Sequence, residues 1–130
     1  MKIRPMIVAL GLSLVSGLIP SYAATVEPYE QSAFDVAQAH GDSILVFVEA
    51  SWCPTCAKER AILHDLYKMP QFKDLHVFDV DFDTSKPLLH RLHVPMQSTL
   101  IVYHGTLETG RLTGATDSGV ILRLLETSSS

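Results

Sequence analysis

The chain has 130 residues, of which 47% are apolar and 18% charged, a size and composition that suit one globular domain and require no second. Its 10 basic residues are outnumbered by 14 acidic ones, giving a net charge of −4, which argues against a nucleic-acid-binding surface. Two cysteines, Cys53 and Cys56, lie three apart and cannot staple distant parts of the chain.

Met1 to Pro5 carries Lys2 and Arg4, Met6 to Ile19 is free of charge, and Ser21-Tyr22-Ala23 follows with small residues at its ends. A basic start, a short apolar run and a small-x-small site predict a secretory signal peptide over residues 1–23, cut after Ala23, and a domain over residues 24–130. The apolar run falls short of the roughly 20 residues of a membrane-spanning helix, so stable membrane insertion is not expected after signal removal. Without Lys2 and Arg4 the net charge becomes about −6.

Thr25 to Tyr29 reads as a polar lead-in, followed by a helix from Glu30 to His40 that Gly41 and Asp42 end. Ile44 to Val48 is a strand apolar enough to be buried on both faces. From Pro54 to Met69 the residues Ala57, Ala61, Ile62, Leu63, Leu66 and Met69 recur at helical spacing, with Lys58, Glu59, Arg60, Asp65 and Lys68 largely between them. This predicts an amphipathic helix that Pro54 opens and Pro70 stops. Leu75 to Phe82 alternates, placing Phe78, Val80 and Phe82 on one face and Asp79 and Asp81 on a polar one.

A short helix is expected over Pro87 to Leu92, then an irregular stretch from His93 to Ser98. Thr99 to Tyr103 and Leu107 to Leu112 form a hairpin about His104-Gly105-Thr106. Asp117 or Ser118 opens a last helix, and the three terminal serines read as a frayed tail. Helices alternating with strands and closed by a hairpin imply an α/β fold, a mixed central sheet with helices on both faces.

The chemistry centres on Trp52-Cys53-Pro54-Thr55-Cys56, between the buried strand and a helix N-terminus. Unpaired amides and the positive end of the helix dipole favour a thiolate at Cys53, which makes it the nucleophile. Cys56, one helical turn on, can attack a mixed disulfide formed at Cys53 and is the resolving thiol. Pro54 and Thr55 tune the pair without breaking bonds, and Trp52 offers an apolar platform beside the sulfurs. A purely structural disulfide closing so short a loop would stabilise little. The other use of such a pair is a metal or iron–sulfur module; a zinc site needs four ligands, of which this pair supplies two, and histidines could add more, His90 and His93 falling on one helix face. The expected site holds no metal and no cofactor.

At this point the chain resembles the thioredoxin family. The resemblance rests on Ile44-Leu45-Val46-Phe47-Val48, on Ala50-Ser51-Trp52-Cys53-Pro54-Thr55-Cys56, on Thr99 to Gly105, and on Gly114 before the last helix. It implies a thioredoxin fold and a protein-disulfide oxidoreductase with nucleophilic Cys53 and resolving Cys56. By the same resemblance Trp52, Pro54, Thr55, Gln97, Ser98 and Thr99 are candidate residues for binding the partner protein. Two positions depart from the family. Ser98 stands where the family places a cis-proline, so the Gln97-Ser98 bond is either trans or held cis at a cost of about 3–4 kcal/mol. Phe47 stands where many members have a buried acid, and Glu49, two residues on and on the same face, is a candidate proton acceptor in its place.

The function expected is reduction of disulfides in exported proteins of the periplasm, because WCPTC resembles the motif of exported reductases of cytochrome c maturation. Its partners would be exported proteins with cysteines or disulfides and a membrane conduit of thiol reductant. A dithiol oxidant is the opposite direction of the same chemistry.

Overall fold

The computed structural model describes Gly17 and residues 23–130, so the expected signal peptide lies almost wholly outside the described residues. The elements are β1 (Thr25–Pro28), α1 (Gln31–His40), β2 (Ser43–Glu49), α2 (Pro54–Leu66), β3 (His76–Asp81), α3 (Lys86–Arg91), β4 (Thr99–His104), β5 (Leu107–Thr113) and α4 (Ser118–Glu126). Short 3-10 turns at Pro70–Phe72 and Thr127–Ser129 complete them. One five-stranded sheet runs in the order β1-β3-β2-β4-β5, with β1, β3 and β2 parallel and β4 and β5 antiparallel.

The mixed sheet with helices on both faces is the α/β architecture expected. Ile44, Val46, Val48, Phe78 and Val80 pack with Phe34 of α1 and with Leu88 and Leu89 of α3. Leu45, Phe47, Val77, Leu100 and Val102 pack on the other face with Cys56, Leu63 and Leu66 of α2 and with Ile121, Leu124 and Leu125 of α4. Two covered faces explain why β2 is apolar at consecutive positions. At the β4–β5 turn the chain passes so close to α1 that a side chain on Gly105 would meet the Gly41 backbone at 3.1 Å; Gly105 also has a φ of 56°.

Four expectations change. Thr25–Pro28 is an edge strand, held by backbone pairing with β3 although it carries no alternating pattern. Pro28 fits there because an edge strand leaves a missing donor unchallenged. The α2 helix ends at Leu66, before Met69, and Pro70 opens a 3-10 turn instead of stopping the helix. The supposed polar face of β3 is the second core face, carrying Val77 beside a half-buried Asp79. The terminal serines are not all frayed: Ser128 is buried, and its carbonyl accepts from Ser43 Oγ at 3.0 Å and lies 2.7 Å from His104 Nδ1.

Candidate functional site

The buried β2 strand delivers the chain to Ala50, and Cys53 follows as the N-cap of α2. Its backbone N–H donates to the Ala50 carbonyl at 3.2 Å, and its Sγ accepts the Cys56 N–H at 3.1 Å. Pro54 occupies the first turn of the helix, where its missing N–H leaves no ladder bond broken. Cys53 and Cys56 are joined as a disulfide with Cα atoms 5.3 Å apart. Cys53 reaches the surface with 5% of its area and Cys56 with none. Attack on this bond therefore requires a thiol presented at the Cys53 edge.

Trp52 is 57% exposed, and its Nε1 donates to Asp83 Oδ2 at 2.8 Å. Asp81 Oδ1 in turn accepts the N–H groups of Asp83 and Thr84, at 2.8 and 3.0 Å, so the loop after β3 is folded to brace the indole. Pro54 is exposed and Thr55 half-buried beside it.

The Gln97–Thr99 segment reaches the same helix through Ser98. The described residues contain no cis peptide bond, so Gln97-Ser98 is trans, and Ser98 has a φ of 57°. A left-handed conformation costs a non-glycine residue about 1–2 kcal/mol. Opposing that strain, the Ser98 carbonyl accepts the Gly114 N–H at 2.7 Å and its hydroxyl donates to Glu59 Oε2 at 2.6 Å. Thr99 Oγ1 donates to the Met96 carbonyl at 2.8 Å and lies 3.1 Å from Thr113 Oγ1. Thr99 pairs with Val48 of β2, which sets the loop before β4 beside the end of the strand that enters the cysteine motif.

Glu49 sits at the end of β2, and its Oε2 accepts from Arg60 Nε at 2.8 Å and from Arg60 Nη2. Arg60 is half-exposed on α2. Beside this pair a cavity of about 320 Å³ opens, with Phe47, Leu63 and Tyr67 as apolar walls and Asp79 at one side. Asp79 is the register partner of Phe47, so an acid stands next to the position where the family's acid is replaced, one strand over. Burial pushes its carboxyl up to about 6; the charge of Glu49 adds to the rise and Arg60 opposes it. Burial also raises the Tyr67 hydroxyl, with Asp79 and Glu49 acting in the same direction.

Two acids enclosed here, Glu59 and Asp79, are not among the site residues that the sequence points to. Glu59 is fully buried, although its residue type sets it with the polar residues of α2. Its position, three after Cys56 and four before Leu63, lies on the helix's apolar stripe, and that spacing was the available signal. Asp79 gave no such signal, because strand alternation cannot tell a solvent face from a second core face.

A dithiol pair capping a helix at the end of a buried strand, on a mixed sheet covered on both sides, defines a protein of thiol-disulfide exchange. The thioredoxin family profile matches residues 25–127, and the chain belongs to that family. It is 28% identical over 90 residues to thioredoxin-2 of Saccharomyces cerevisiae, spanning 68% of this chain and 85% of that one. Among solved structures it is similar to Trxlp from Edwardsiella tarda EIB202, with 42% identity, a TM-score of 0.76, and 78% of this chain and 98% of that one covered. Thioredoxin O2 from Arabidopsis thaliana in the oxidised state shares the fold, with 20% identity, a TM-score of 0.68, and 81% and 93% of the two chains covered.

Proposed function

We propose that this chain is an exported thiol-disulfide oxidoreductase that reduces disulfides in other exported proteins of the periplasm. The observation that supports this reading is the Cys53–Cys56 pair at the α2 N-terminus, with Cys53 keeping 5% of its area exposed and Cys56 none. In the reducing direction the Cys53 thiolate attacks a client disulfide, and one client sulfur leaves as a thiolate. Cys56 then attacks Cys53 Sγ, the bond to the client breaks, and the client departs fully reduced while Cys53 and Cys56 are oxidised. A membrane conduit carrying thiol reductant would return two electrons to the pair. Trp52, Pro54, Thr55 and the Gln97–Thr99 segment would form the surface on which the client lies.

The test is reduction of insulin disulfides by the dithiol form, together with the reduction potential against glutathione. We expect turnover in the wild type, none in Cys53→Ser, and a trapped mixed disulfide in Cys56→Ser. A potential near −270 mV supports the reductase, whereas one near −120 mV reverses the assigned direction. Cell fractionation with N-terminal sequencing tests export, and cleavage after Ala23 is the expected outcome.

A further inference from the structure

Glu59 Oε1 and Ser128 Oγ are the buried side-chain oxygens without a hydrogen-bond partner among the described residues, and Glu59 is the one that can carry a charge. It leaves α2 on the same side as Cys56, one turn further along, and has no exposed surface. Oε2 accepts the Ser98 hydroxyl at 2.6 Å, and the Ala115 N–H also reaches the carboxyl, yet Oε1 has no hydrogen-bond partner. No ion pair among the described residues includes it. The charged group that bears on it is Glu49 of β2, a like charge. Around it stand the Ser98 hydroxyl from the loop before β4, the Ala115 N–H from the segment before α4 and, one helical turn back on α2, Cys56.

A carboxyl that only filled space here would be replaced with profit by a leucine, as at Leu63 and Leu66 on the following turns of the same stripe. Leaving one oxygen of a buried acid without a partner costs on the order of 1–3 kcal/mol, more if it is charged. Such an arrangement makes sense for an atom that must gain and lose a proton. We infer that Glu59, held by Ser98, is the proton store of the dithiol site, accepting at Oε1 the proton that Cys56 gives up when the Cys53–Cys56 bond forms.

The inference rests on the reading of Cys53 and Cys56 as a working pair. When the ring closes, Cys56 Sγ–H loses its proton and its electron pair forms the bond to Cys53 Sγ. The bond from Cys53 to the client sulfur breaks, and that sulfur leaves as a thiolate. The two cysteines are oxidised, the client disulfide is reduced, and the proton rests on Glu59 until the next reduction returns it. Burial raises the Glu59 carboxyl above its ordinary range, against the opposing hydrogen bonds of Ser98 and Ala115. That brings its proton affinity nearer to a thiol's, which is the condition for efficient transfer. Ser98 fixes Oε2 and leaves Oε1 as the accepting atom, which gives the hydroxyl at this position a use that a proline could not supply.

The experiment is single-turnover resolution of a mixed disulfide between the full chain and a cysteine peptide, followed from pH 5 to 9 in wild type and Glu59→Gln. Glutamine keeps the volume and can keep the Ser98 hydrogen bond. We expect resolution at pH 7 to slow on the order of 100-fold, with the variant's rate rising about tenfold per pH unit where the wild-type rate is flat. An unchanged rate and profile in a folded variant overturns the inference. Should Glu59→Gln not fold, carbon-detected NMR titration of the wild-type Glu59 carboxyl decides instead: a midpoint that differs between oxidised and reduced protein supports the store, and equal midpoints overturn it. If the wild type forms no mixed disulfide at all while its Glu59 midpoints still differ, the functional reading has failed and not the coupling.

Discussion

Side chains that alternate along β2 enter two different environments. Ile44, Val46 and Val48 meet α1 and α3 in a core of aromatic and aliphatic groups, whereas Leu45 and Phe47 meet α2 and α4 in a core that also holds Cys53, Cys56, Glu59 and Ser98. On the first face Phe34 gathers Tyr29, Phe78 and Tyr103 around it, with ring centroids 5.3 to 5.6 Å away. Among the described residues, the buried members of that face include no cysteine and no carboxyl group. The second face takes buried polar groups in exchange for chemistry. One sheet thus separates the part that holds the fold from the part that can afford strain at Ser98 and an unpartnered oxygen on Glu59.

The largest test of that division removes the hub of the first face. Phe34→Ala should cost about 3–5 kcal/mol in urea unfolding, from lost burial and the cavity left behind. The reduction potential of the pair should stay where it was. A potential that moves with the stability would show that the two faces are not separable.

A smaller loss is expected on the second face at the cap of α4. Asp117 accepts the Val120 N–H at 2.8 Å, so Asp117→Ala should lower stability by about 1 kcal/mol. Gly114 and Ala115, just upstream, are the groups that hydrogen-bond Ser98 and Glu59. Loosening this cap should therefore also slow disulfide exchange, measured by insulin reduction, while Phe34→Ala in the folded protein does not. Equal rates in the two variants would mean that α4 does not brace the site.

The same division explains what was legible in the sequence. The β2 strand, the start of α2 at Pro54 and the β4–β5 hairpin are local patterns, written in apolar runs, a proline and a turn glycine. The cysteine pair is local too, because its partners are three residues apart. What escaped is held by long-range contacts: β1 exists through pairing with a strand about 50 residues later, and Ser128 is buried because Ser43 and His104 reach its carbonyl. Glu59 and Asp79 read as surface charges because residue type argues for exposure, and the packing of α2 on the sheet decided otherwise.

Asp79 allows the finest test. Its carboxyl titrates near 6 in the folded chain, against about 4 when unfolded, so between these values the folded state holds a proton that the unfolded state has released. The contribution of Asp79 to stability must then fall as pH rises from about 4 to about 6, and level off above. The cause is chiefly burial, with Glu49 adding its like charge and Arg60 opposing, so neutralising the side chain removes the penalty. Asp79→Asn should match the wild type at pH 4 and exceed its stability at pH 7. The rise from about 4 to about 6 is worth at most about 2–3 kcal/mol by linkage, and the solvent that reaches the half-buried carboxyl keeps the gain below that ceiling. Urea midpoints taken from pH 3.5 to 7.5 measure the difference. A gain that is the same at every pH would assign the effect to packing, and a loss at pH 7 would mean that the carboxylate is stabilising where the apolar walls of Phe47 and Tyr67 argue the reverse.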